Sequence, residues 1–180
     1  MKKLTREIYE LMDSVVIALV AVMLIFTLVC RVYVVDGGSM KETLQDHDRV
    51  LVSNLFYTPE QGDIICFVAK NHNDQVLVKR VIATAGQTID LNSAHQVVID
   101  GKVLDESYLD EYVSTPNGTV KNETYANGFS FPYTVKEGEV FCMGDNRTGS
   151  LDSRSLGTIE TKYILGKMLV RLFPNTGVVE

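Results

Sequence analysis

A chain of 180 residues has room for one compact domain and a short appendage. Its hydrophobic share of 46 % is ordinary for a globular protein, and its formal net charge of −6 has the wrong sign for a phosphate-binding surface. Nucleic acid is excluded as a partner class on that ground, and no extended basic patch interrupts the sequence.

The apolar residues are unevenly spread. Val15 to Cys30 (VVIALVAVMLIFTLVC) is an uncharged, almost wholly apolar run, and extending it to Val35 adds only Arg31. About 20 helical residues cross a hydrocarbon core about 30 Å thick. The expected organisation is an N-terminal segment over 1–12, a transmembrane helix over 13–35 and a β-rich domain over 36–180, with a lipid bilayer as the first partner. Arg31 can snorkel to an interface, with Tyr33 beside it as a belt residue. Lys2, Lys3 and Arg6 also look like the n-region of a cleaved secretory signal. That reading wants small residues at a cleavage site, and RVYVVDGG offers bulky ones.

After Asp36 the pattern turns from helical to short β-rich runs. The expected strands are 49–55, 63–69, 76–84, 88–91, 96–101, 139–144 and 164–173, separated by turn formers such as TPEQGD and KNHNDQ. Many short strands without amphipathic helices between them predict a mainly β domain of antiparallel strands, sandwich-like or barrel-like. Residues 102–138 are less regular and read as an insertion or excursion from the main sheet.

Three stretches carry chemistry. In VDGGSMKETL (35–44), Ser39 and Met40 follow two glycines, which permit positive φ and close approach of another chain. This is either a turn after a helix or an exposed hydroxyl with backbone N–H groups ready for an oxyanion. In VLVKRVI (76–82), alternation puts Lys79 on one face with Leu77 and Val81, and Arg80 on the other. An edge strand with snorkelling cations would read this way; so would a desolvated Lys79 whose neutral amine serves as a general base. MGDNRTGSLDSRSLG (143–157) is a solvated loop or a loop holding a site in register, through Asp145, Ser150, Asp152 and Arg154.

No CxxC or Cys/His cluster has metal-ligand spacing, so no metal or cofactor is expected. Cys66 and Cys142 lie in apolar stretches and read as free buried thiols, since a disulfide would need close Cα atoms. His47, His72 and His95 sit among polar neighbours and read as surface residues.

Taken together these stretches resemble the type I signal peptidases, in particular the bacterial Ser–Lys branch in its short Gram-positive-like form. GGSM resembles the nucleophile box, QGDIICF the following strand, VKRVI the lysine box and GDNRTGSLDSR the C-terminal box. The resemblance runs from about residue 10 to 173, with order and spacing in agreement. It implies Ser39 as nucleophile, Lys79 as general base, and Ser150 as the serine that orients the lysine amine. It further implies Asp145, Asp152 and Arg154 as scaffold, Arg80 as an ion-pair partner, Met40 beside the nucleophile and the Ser39 N–H as oxyanion donor. The implied substrates are secretory preproteins cut after a small-x-small motif, at the extracytoplasmic face of the cell membrane with the N-terminus in the cytoplasm. The chain departs from the family pattern in KETL, where Glu42 replaces a proline, in Gly37, where some members have serine, and in ATAGQ (83–87). Only Arg31 to Gly38 separate the apolar run from Ser39, a reach of at most about 25–30 Å. The alternatives are a specialised pilus or surface-protein signal peptidase with narrow substrates, a non-catalytic anchored assembly factor, and a cytoplasmic Ser–Lys autoprotease of the LexA-repressor kind.

Overall fold

The computed structural model describes residues 2–41, 43–70, 72–109, 130–174 and 176–178. The chain divides into two compact units, Met1–Arg31 and Val32–Glu180.

The first unit is helix α1, Lys2–Val29. Its early turns are polar, with Arg6 donating to Glu10 at 2.8 Å one turn on, the spacing at which helix side chains meet. Beyond Ser14 the side chains that are described are mostly apolar and exposed, Ile17 at 68 % and Met23 at 66 % among them. Among the described residues no helix is long and apolar enough to cross a membrane. The expected helix over 13–35 is also corrected at its C-terminal end: Cys30–Val34 is strand β1, not helix. Apolar character alone does not separate the two states, and Val32, Tyr33 and Val34 are types that favour a strand once a partner is beside them.

The second unit is mainly antiparallel β. After β1 come β2 (Arg49–Ser53), β3 (Ile64–Ala69), β4 (Gln75–Thr84), β5 (Thr88–Leu91), β6 (Val97–Ile99) and β7 (Lys102–Val103). Beyond 129 follow β8 (Tyr133–Thr134), β9 (Glu139–Met143), the short helix α2 (Ser153–Leu156), β10 (Ile159–Glu160) and β11 (Ile164–Phe173). All seven expected strand segments form, as β2, β3, β4, β5, β6, β9 and β11. The two-residue strands β7, β8 and β10 are too short to show a sequence period. Within the 102–138 excursion, β7 and β8 join a sheet, and 110–129 lie outside the described residues.

A seven-stranded sheet has the order β1-β2-β11-β3-β4-β9-β10, and a four-stranded one β7-β6-β5-β8. The two sheets share a core. Ile82 and Ala83 of β4 and Phe141 and Met143 of β9 pack with Ile89, Leu91, Val97 and Ile99 of the small sheet, all nearly inaccessible. Strand β4 is therefore central, paired with β3 on one side and β9 on the other. That settles the placement of its cations: Lys79 and Arg80 are 1 % and 3 % exposed, not snorkelling from an edge.

Candidate active site

Ser39 lies on the loop between β1 and β2. This loop is pinned at its base by Val35 donating to Asp48 O at 2.8 Å and His47 donating to Val35 O at 2.9 Å. Gly37 takes φ +87°, a left-handed conformation that a side chain would resist, while its N–H donates to Asp46 Oδ1 at 2.8 Å. Met40 points inward, fully buried with Leu44, Val50 and Cys66. Its carbonyl accepts from the Thr43 and Leu44 N–H groups at 2.8 and 2.7 Å, closing a turn after the serine. The buried methionine thus fixes one side of the loop and leaves Ser39 half-buried. Glu42 lies outside the described residues.

Lys79 Nζ meets Ser39 Oγ at 2.7 Å and donates to Val78 O at 2.7 Å. Strand β4 brings this amine close enough to Cys66 of β3 and Cys142 of β9 to interact with both. Burial dominates and lowers its pKa from 10.5 to about 8, against the upward pull of the Asp152 and Asp145 carboxylates. Cys66 and Cys142 are free, and burial pushes the Cys66 thiol up to about 12 and the Cys142 thiol higher still.

The loop after β9 closes the site. Gly144 fits where no other residue would: a Cβ there would overlap Ser150 Oγ and the Ser39 carbonyl. Asn146 ties this loop to the Ser39 loop, its N–H donating to Ser39 O at 3.0 Å and its side-chain amide to Gly38 O at 2.8 Å. Asp152 is buried at the N-cap of α2 and accepts from Gly144 N–H at 2.9 Å. Arg154 forks onto the same carboxylate at 2.8 and 2.7 Å. Burial alone would raise the Asp152 pKa; the Arg154 guanidinium and the Gly144 N–H outweigh it and hold the carboxylate below its ordinary range.

Arg80, on the opposite face of β4, forks onto Asp145 at 3.0 and 2.9 Å and donates to Gly62 O at 2.9 Å. Asp145 also accepts from the Thr43 hydroxyl, and its N–H donates to Met40 Sδ at 3.5 Å. The Arg80–Asp145 pair therefore grips the Ser39 loop at two points beyond the serine.

The structure brings Ser39, Met40, Lys79, Arg80, Asp145, Asp152 and Arg154 into one connected cluster. Ser150 is beside it but unengaged. Its hydroxyl is buried and has no hydrogen-bond partner among the described residues, near enough to Asp152 to influence it but not in bonding geometry. The hydrogen bond to the lysine amine that the resemblance implies is not formed. The sequence alone assigns no role to Thr43, Glu106 or Tyr108, and shows Arg147 and Asn146 only as members of a polar loop. Arg147 is in fact 2 % exposed and paired with Glu106 at 2.5 Å. Spacing gives no signal for such long-range partners.

Among the described residues no group of His, Cys, Asp or Glu gathers as a metal site needs. A groove of about 610 Å³ opens on the Arg80 side, walled by Gly62, Asp63, Tyr108, Lys167 and Met168 among others, and Ser39 is not part of its lining.

A half-buried serine hydroxyl against a desolvated lysine amine, steadied by two buried ion pairs, has the parts of an acyl-transfer site of the Ser–Lys type. The chain matches the family described as signal peptidase, peptidase S26, over residues 8–173, and it belongs to that family. It is 35 % identical over 179 residues to signal peptidase I S of Bacillus subtilis (strain 168), covering 94 % of this chain and 91 % of the relative. It is 30 % identical over 180 residues to signal peptidase IB of Staphylococcus aureus (strain COL), with the same coverage of 94 % and 91 %. A crystal structure of a signal peptidase I from Enterococcus faecalis V583 is 33 % identical, with a TM-score of 0.48 over 62 % of this chain and 97 % of that one.

Proposed function

We propose that this protein is a membrane-anchored serine endopeptidase that removes N-terminal signal peptides from secreted preproteins, with Ser39 as nucleophile and Lys79 as general base. The observation that carries the reading is the 2.7 Å contact between Lys79 Nζ and Ser39 Oγ, made by an amine that burial brings to a pKa of about 8. Such an amine is partly neutral near physiological pH, and only the neutral form can accept a proton.

The neutral Lys79 amine accepts the Ser39 hydroxyl proton as Oγ attacks the scissile carbonyl carbon. The carbonyl oxygen takes the negative charge and faces the Ser39 N–H, which among the described residues donates to no other group. The Lys79 ammonium then gives its proton to the departing amine, the C–N bond breaks, and an ester on Ser39 remains. Lys79, neutral again, takes a proton from a water that attacks the ester carbon. It returns that proton to Ser39 Oγ as the C–O bond breaks, which restores the serine hydroxyl and releases the signal peptide with a free carboxylate.

The anchor is α1, whose apolar run from Val15 onward exposes large side chains that water would penalise and lipid would accept. The N-terminus is cytoplasmic and the β unit works on the extracytoplasmic face, where preproteins emerge. Cleavage falls after a small-x-small motif. The test is cleavage of an Ala-x-Ala preprotein by full-length protein in detergent, comparing wild type with Ser39→Ala and Lys79→Ala. Both variants should lose at least about a thousandfold in rate. A wild type inert on several preproteins would overturn the proposal.

A further inference from the structure

The segment after β7 reaches the site from behind. The Tyr108 ring lies over the Arg80 guanidinium, 3.8 Å from its centre, on the group that forks onto Asp145. The Tyr108 hydroxyl donates to Glu106 Oε1 at 3.1 Å, and Glu106 accepts from Arg147 Nη2 at 2.5 Å. Arg147 in turn donates through Nε to Gly144 O at 3.2 Å, and its own carbonyl accepts from Arg154 Nη1 at 2.8 Å. Two residues of the small-sheet excursion therefore touch both halves of the site's scaffold: the Arg80–Asp145 pair and the Gly144–Arg154 loop. Neither touches Ser39 or Lys79.

We propose that Tyr108 and Glu106 are positioning residues for the peptidase site, Tyr108 acting through Arg80 and Glu106 through Arg147. This rests on the Ser39–Lys79 reading above. A planar guanidinium held on one face by an aromatic ring has its fork orientation fixed, because tilting breaks either the stack or the two bonds to Asp145. Asp145 carries that orientation to Thr43 and Met40, four and one residues past the nucleophile. Glu106 supplies the carboxylate that lets Arg147 stay fully buried, and burial would otherwise work against that guanidinium. Arg147 then holds the Gly144 carbonyl, and with it the backbone packed on Ser39.

The consequence is kinetic. If Arg80 is freed from its stack, Asp145 is less well compensated, and its charge raises the Lys79 pKa further. The Cys66 and Cys142 thiols nearby stay protonated where Lys79 titrates. The carboxylates that act on Lys79 are Asp152 and Asp145, the first held by Arg154 and the second by Arg80. Tyr108→Leu should therefore lower kcat roughly tenfold, the size expected for a desolvated cation–π contact, and move the acid limb of kcat/KM to higher pH. KM should stay within about twofold if Tyr108 acts through Arg80 alone, so a larger rise in KM would count against a positioning role. Tyr108→Phe keeps the ring face and should restore the wild-type midpoint.

The measurement is the pH dependence of Ala-x-Ala preprotein cleavage by full-length enzyme in detergent, with rates divided by the fraction of protein that a Ser39-acylating inhibitor titrates. A purely structural role changes that fraction and leaves the midpoint in place. Should Tyr108→Leu give no folded protein, Glu106→Gln carries the same expectation through Arg147: a lowered kcat per titrated site with KM held. Titrated Tyr108→Leu or Glu106→Gln enzyme as fast as wild type would overturn the inference. Ser39→Ala serves as the control on the underlying reading, since its retained cleavage would sink that reading whatever Tyr108 does.

Discussion

Replacing Lys79 with methionine exchanges a buried amine for an apolar side chain of similar length. Folding lowers the Lys79 pKa from 10.5 to about 8, with burial as the main cause. Between those two values the unfolded chain binds more protons than the folded one, so stability rises with pH across the window. Below about pH 8 the wild type bears the whole cost of the buried ammonium, about 3 kcal/mol; above about pH 10.5 it bears none. Lys79→Met has no such term. Its stability advantage over wild type should therefore shrink by about 3 kcal/mol between about pH 7 and pH 11, whatever constant offset packing adds. Urea unfolding of both chains in the same detergent reads this difference, because the other groups titrate in both. A difference level to within about 1 kcal/mol over that range would refute the reasoning, since it would mean the amine is no more desolvated folded than unfolded.

Activity should follow the same group, with kcat/KM rising through an apparent pKa of about 8 as Lys79 loses its proton; initial rates from about pH 6 to 10 would show it, and a flat profile would not fit. Asp145→Asn leaves the Arg80 guanidinium buried without its counter-charge and should cost about 3–5 kcal/mol in thermal or urea unfolding, whereas a cost under about 1 would mean the pair contributes little. Gly144→Ala places a Cβ against Ser150 Oγ and the Ser39 carbonyl, so cleavage should fall at least about tenfold, and wild-type rates would show that the loop has room to give. Ser150→Ala removes a hydroxyl that has no partner among the described residues and should change stability by less than about 1 kcal/mol, and a larger loss on unfolding would mean that the hydroxyl is bonded.

Most of the sheet was legible because its longer strands are runs rich in apolar and β-branched residues bounded by turn formers. Residues 63–69, 76–84 and 164–173 announce β3, β4 and β11 almost to the residue, and the turn formers between them mark the ends. The N-terminal boundary was not, because Val32, Tyr33 and Val34 continue the apolar run of α1 past the single charge of Arg31, and only pairing in the sheet makes them β1. The site divides in the same way. Ser39, Lys79 and the 143–157 loop stand out by local motif, and whether the lysine was an edge cation or a buried base depended on β4 being central, a property of topology and not of the strand itself. Glu106, Tyr108 and Thr43 lie far from their partners in sequence, at separations of 41, 39 and 102 residues to Arg147, Arg147 and Asp145. No periodicity reports such contacts. Arg147 reads as one more polar loop residue until the loop is seen folded over Gly144.

The pairing of Ser39 with Lys79 is tested most directly by mass spectrometry of the full-length protein after reaction with an acylating peptide that carries small residues. Wild type should gain one adduct, located on the peptide containing Ser39, with a rate that rises as pH passes about 8. Ser39→Ala should gain none, and Lys79→Ala should acylate at least about a thousandfold more slowly. An adduct on another residue, or undiminished labelling of Lys79→Ala, would contradict the account.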